Sequence, residues 1–157
     1  MKSSRVLAGI CLAMFSAAAL GAAPVEGTFK ANGKDARLSN VVARKGDPFS
    51  GNPTVTLVFS EKDASKEAKP DMRAMFGDLG DALVIHLMNE GGKYTVIGSE
   101  FTHSALKHSG ASASGVVDIK DAVVANGELS GHLATGPDAK IFDEPIAIDL
   151  RFHVKQP

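Results

Sequence analysis

The chain has 157 residues, with 17 basic against 18 acidic side chains, 44% hydrophobic residues and no tryptophan. That length suits one domain with a core large enough to fold alone. The near-neutral balance and the lack of a basic cluster speak against a nucleic-acid partner and against docking on anionic lipid.

The chain opens with Lys2 and Arg5, then an apolar run from Val6 to Leu20. Ala17, Ala18, Ala19, Gly21, Ala22 and Ala23 crowd its end with small residues. This is the build of a secretory signal peptide over 1–23, with cleavage expected between Ala19 and Ala23. The apolar core is short for a membrane span. Cys11, the one cysteine, follows Ile10 inside the run, which does not suit a lipid-modified leader. The processed chain then has no cysteine and no disulfide. Losing Lys2 and Arg5 from the 17 basic residues leaves 15 against 18, a net charge of about −3. A periplasmic or secreted location is expected, with no membrane span after cleavage.

Val25 to Ala31 reads as a strand. Asn32-Gly33 suits a two-residue hairpin turn, because both residues tolerate positive φ. Lys34 to Arg44 is expected to return as its partner, with a bulge near Asn40 where the alternation fails. Lys45 to Asn52, with Gly46, Pro48 and Gly51, reads as a loop. In Thr54 to Ser60, Val55, Leu57 and Phe59 share one face and Thr54, Thr56 and Val58 the other. Pro70 can open a short helix. Met72, Met75, Phe76 and Leu79 are expected as its apolar stripe over one face or end of a sheet, with Gly77 and Gly80 as stops.

Leu83, Ile85 and Leu87 alternate with Val84, His86 and Met88. A turn at Asn89 to Gly92 leads to a return strand through Tyr94 and Val96. His103 to Ser114 is small and polar, which predicts a flexible loop or a poorly packed edge. Val116 to Ala125, Asn126-Gly127 and Leu129 to Leu133 form another hairpin. Gly136-Pro137-Asp138 turns the chain into its last strand. There Ile146, Ile148, Leu150, Phe152 and Val154 alternate with Ala147, Asp149, Arg151, His153 and Lys155. That is one apolar edge and one wet edge.

Eight or nine short strands and one short helix, without βαβ alternation, predict an all-β fold. The choice is an antiparallel β-sandwich or a partly open barrel.

The candidate chemistry is sparse. His132 and His153 are the candidate metal pair, should their strands lie together; His103 and His108 have no ligand spacing. Met72, Met75 and Met88 could hold soft copper, but helical spacing favours a packing role for the first two. Ser99, Ser112 and Ser114 lie beside or near glycines without a nucleophile motif, and no phosphate-loop signature occurs. Asp143-Glu144 and Asp118 with Asp121 are carboxylate pairs by sequence only. No catalytic residue, metal or cofactor is assigned.

The segments GTFKANGKDARLSNVVARKGDP, TVTLVFSEKD, LSGHLAT and IFDEPIAIDLRFHV resemble a loose set of small exported bacterial all-β proteins of uncharacterised function. The resemblance implies an exported all-β domain and assigns no site residue. The expected role is binding rather than catalysis, with another protein as partner, as in inhibitor or immunity proteins. The contact would be a sheet edge or the 103–114 loop. An alternative is a carrier holding a small apolar ligand inside a barrel lined by Leu57, Phe59, Leu83, Ile85, Leu150 and Phe152; an enzyme of unknown class is the second alternative.

Overall fold

The computed structural model describes residues 23–157. Apart from Ala23, the leader expected over 1–23, with Cys11, lies outside the described residues. No helix among those residues is long and apolar enough to cross a membrane.

Among the described residues, eleven strands and one helix follow in order: β1 (Val25–Ala31), β2 (Lys34–Ala36), β3 (Asn40–Phe49), β4 (Asn52–Ser60), α1 (Pro70–Met75), β5 (Ala82–Glu90), β6 (Lys93–Thr102), β7 (Ala111–Ala113), β8 (Val117–Ala125), β9 (Glu128–Thr135), β10 (Lys140–Ile141) and β11 (Glu144–Lys155). They build two antiparallel sheets. The first has the order β2-β1-β11-β9-β8, with β10 paired to β11; the second is a meander, β3-β4-β5-β6-β7. The sheets stack as a sandwich and do not close into a barrel, so of the two expected arrangements the sandwich is the one observed.

The last strand alternates buried and exposed residues through Val154, as its sequence predicts. It lies between β1 and β9, so its apolar edge is central in the first sheet. Across the sandwich it meets the inner faces of β4 and β5. Leu57, Phe59, Leu83, Ile85, Leu150 and Phe152 all lie in one buried cluster, and the Phe59 and Phe152 rings meet edge to face at 5.4 Å. The residues expected to line an interior cavity therefore pack on one another. Burying each such side chain stabilises the fold by about 1.5–3 kcal/mol before its ordering entropy is set against it.

Five hairpins turn on two residues of positive φ: Asn32-Gly33, Ser50-Gly51, Gly91-Gly92, Asn126-Gly127 and Phe142-Asp143. Ser50-Gly51 corrects the loop expected over Lys45 to Asn52, where the strands continue to Phe49 and resume at Asn52. Lys34 to Arg44 is likewise not one strand. Only Lys34–Ala36 pairs with β1, and the chain then passes through Arg37–Ser39 to the other sheet. The failed alternation near Asn40 marks that change of sheet, with Ala36 and Leu38 buried on the way.

The helix is also arranged differently from the expectation. Pro70 and Ala74, one turn apart, are its buried residues. Ala74 and Leu79 cover Val42, Val58 and Val84 on the outer face of the second sheet. Met72, Met75 and Phe76 point outward, Phe76 being 73% exposed. A six-residue helix has one narrow buried face, and the proline–alanine pair occupies it.

The 103–114 segment is anchored rather than loose. His103 is buried and edge-on to Phe29 at 5.0 Å. Its Nδ1 accepts the Ala105 N–H at 3.0 Å, so its Nε2–H donates to the Lys34 carbonyl at 3.1 Å. Leu106 is buried, and Ala111–Ala113 pairs with β6.

Gly27 sits in β1 opposite Leu150 with φ of 118°. A Cβ there would collide with the Asp149 carbonyl oxygen of the neighbouring strand. Gly33 also has positive φ, but nothing lies within 4 Å of a Cβ there. Gly33→Ala is therefore expected to cost the left-handed penalty alone, about 1–2 kcal/mol, and Gly27→Ala clearly more, because the strand pair must also move. Urea unfolding of the two variants checks this; equal costs would contradict the packing at Gly27.

Candidate functional site

The two histidines proposed as a metal pair do lie on adjacent strands and on the same wet face. They are offset, however: His132 faces Arg151, and His153 faces Ser130. His132 Nε2 bonds the Asp149 carboxylate at 2.6 Å, on the side away from His153. No group of three or more His, Cys, Asp or Glu able to hold a metal ion occurs among the described residues. Met72 and Met75 lie on the helix surface, while Met88 is on the outer face of β5.

The carboxylate pairs do not converge on a cleft. Asp118 and Asp121 are exposed on β8, Asp121 at a bulge with φ of 52°. Glu144 is buried, whereas its neighbour Asp143 is exposed in a turn. Glu144 accepts the Lys107 backbone N–H at 3.1 Å and the Asn32 side-chain amide at 2.8 Å. Asn32 also donates to the Ala105 carbonyl at 2.8 Å. The carboxylate thus fastens the 103–110 segment to the first hairpin. Foremost the Lys107 N–H, then the Asn32 amide, holds the Glu144 carboxyl below the usual glutamate range, with smaller help from His108.

What the structure does bring together is a polar cluster on the outer face of the second sheet. The two-residue period that sends Leu57 and Ile85 into the core sends Thr54, Thr56 and His86 outward. Thr56 and His86 are direct cross-strand partners. Between His86 and Leu87 the register to β6 shifts by one, with Ile97 as the extra residue. That bulge brings Glu100 to the same outer face. The Thr56 hydroxyl and His86 Nδ1 are 3.1 Å apart, and His86 Nε2 lies 3.4 Å from Glu100 Oε1. A carboxylate accepts, so Nε2 carries the hydrogen and Nδ1 accepts from the threonine.

His86 lines two depressions. One is a groove of about 740 Å³ between the β3–β4 hairpin and the start of α1. Thr54, Thr56 and His86 contribute polar groups, and Pro48, Phe49, Pro70 and Ile97 contribute apolar walls. Arg44 also lines it, but its guanidinium is tied to the carbonyls of Ala43, Ser65 and Glu67. The other is a recess of about 340 Å³ over β5, β6 and β7, lined by His86, Gly98, Ser99, Glu100, Ser112, Ala113 and Ser114. Concave ground with a few convergent polar groups is where a ligand or partner is held. It offers hydrogen bonding and apolar contact; among the described residues the hydroxyl within hydrogen-bond distance of His86 is that of Thr56.

Thr54, Thr56 and His86 could be placed on one face by alternation alone. Glu100 could not, because the bulge at Ile97 resets the phase of β6. Comparison with protein-family models, curated proteins and solved structures gives no match to this chain.

The lowered Glu144 value has a definite sign. A carboxyl held low in the folded state adds stability that is fully present above its unfolded value and is lost as pH falls through the folded one. Glu144→Gln is therefore expected to be less stable than the parent near pH 7, with the gap closing as pH falls below the unfolded glutamate value of about 4.3. Urea midpoints measured from pH 7 down to pH 2.5 check this. A gap that does not change with pH would contradict the role given to the carboxylate.

Proposed function

We propose that the chain is an exported binding domain, and that it holds a partner protein on the outer face of its second sheet. The observation that carries this reading is the groove of about 740 Å³ whose lip is Phe49, 51% exposed at the tip of the β3–β4 hairpin. Beside the opposite wall, at Pro70, the helix presents Met72 and Phe76 to solvent. An exposed aromatic lip over a partly polar floor, with further exposed apolar side chains on the helix that starts at its wall, matches the make-up of protein interfaces, where aromatic and methionine residues are enriched. The filled interior supports this reading over the carrier, since the residues proposed to line a cavity pack against each other.

Export rests on the N-terminal pattern of Lys2, Arg5, the apolar run and the alanines. The fold is compatible with it: the Pro24 carbonyl accepts the His153 N–H at 3.1 Å and β1 begins at Val25, so a cut between Ala19 and Ala23 leaves the first sheet whole. Two measurements test the proposal. Expression of the full chain with a C-terminal tag in a Gram-negative host should give a periplasmic product whose N-terminus lies between residues 20 and 23. That product, used as bait in periplasmic extract, should capture a protein that Phe49→Glu releases and Val123→Glu, on the other sheet, retains. Capture unaffected by Phe49→Glu, or a chain kept whole in the cytoplasm, overturns the corresponding half of the proposal.

A further inference from the structure

The recess beside the groove has its own chemistry. Among the described residues, Glu100 Oε2 is the one buried side-chain oxygen or nitrogen with no hydrogen-bond partner. The other oxygen, Oε1, meets only His86 Nε2, at the long distance of 3.4 Å. A buried acceptor left without a donor costs about 1–3 kcal/mol. Such departures from complete pairing, in a fold that satisfies its other buried groups, gather at functional sites.

The surroundings show what would complete the pair. Among the described residues, no lysine or arginine lines the recess, and Glu100 forms no ion pair with either. The Ser99 hydroxyl is already committed to the Ala113 carbonyl at 2.9 Å. Ser112, the direct cross-strand partner of Glu100, is exposed, and so is Ser114. Gly98 has no side chain and faces His86 across the bulge, which keeps the recess open. The carboxylate only accepts, the two serine hydroxyls at its rim can accept as well as donate, and a carboxylate binds a cationic donor most strongly. A volume of about 340 Å³ takes an ammonium group with a short methylene stem.

We propose that this recess binds a primary ammonium group, with Glu100 as its counter-charge and Ser112 and Ser114 as further acceptors. The group belongs either to a free aliphatic amine or to a lysine side chain of a protein. This site is separate from the Phe49 groove and does not require that the groove hold a partner. Only the side chain of His86 is shared, as the wall between the two.

The test is a titration of the ¹⁵N-labelled exported chain with 1,4-diaminobutane and, separately, with Nα-acetyl-lysine methylamide. Butyrate and 1,4-butanediol serve as controls. At least one ammonium probe should shift the amides of Gly98, Glu100, Ser112 and Ser114 and saturate. Glu100→Gln, nearly isosteric, should weaken binding about tenfold or more. Gly98→Val should abolish it by filling the recess; the Gly98 φ is not positive, and the nearest neighbour of a Cβ there, His86 Cδ2, lies at an ordinary contact distance of 3.5 Å. Binding of the diamine identifies a free amine as the source. Binding of the lysine amide alone identifies a protein side chain. Silence from both probes, equal shifts with butanediol, or unchanged binding in Glu100→Gln overturns the proposal. Phe49→Glu should leave the ammonium titration unchanged, so failure of the groove reading and failure of this one are read separately.

Discussion

The structure depends on one strand finding both its neighbours. Pro145 to Lys155 carries five large apolar residues on alternate positions, and it is paired on one side with the first strand and on the other with β9. Pairing the first and last strands of the described chain closes a long loop, and the entropy of that closure is offset only by non-local contacts. Gly27 makes the approach feasible at its tightest point, where the Asp149 carbonyl leaves no room for a side chain. Phe152 adds a second close approach, its ring lying over Gly131 on the facing strand. Around this seam the other elements are local: hairpins of two-residue turns, a five-strand meander and one short helix.

The two sheets are used differently. The first spends its inner face on the core and leaves its outer face wet, with pairs such as His132 and Asp149 in water's reach. The second is covered on both faces at β4 and the start of β5, where the helix and the segments around it form a small second core. That cover stops short of His86. Where it stops, the sheet carries threonines, a histidine and a glutamate instead of valines. The polar cluster is therefore the uncovered part of a half-covered face, and the groove and recess on either side of His86 follow from the helix being short.

The anchored 103–110 segment shows how polar chemistry replaces regular structure. Its small polar residues resemble a mobile loop by composition, yet His103, Asn32 and Glu144 supply the hydrogen bonds that a strand would otherwise give. Asp81 joins them by accepting the Ser104 N–H at 2.7 Å. A side chain–backbone bond reaching across more than 60 residues leaves no trace in local composition, which is why the segment reads as loose.

Local pattern alone determined the all-β class, the antiparallel pairing, the two Asn-Gly turns and which residues of β4, β5 and β11 enter the core. Each of these rests on a period of two or on a turn dipeptide, and such signals survive without knowledge of any partner. Only the tertiary structure decided that the chain changes sheets after Ala36, that the sandwich stays open, and that Pro70 and Ala74 rather than the methionines face the sheet. Glu100 joining His86 belongs to the same group. These outcomes are set by what packs opposite, and a one-residue bulge at Ile97 is enough to exchange the faces of everything beyond it.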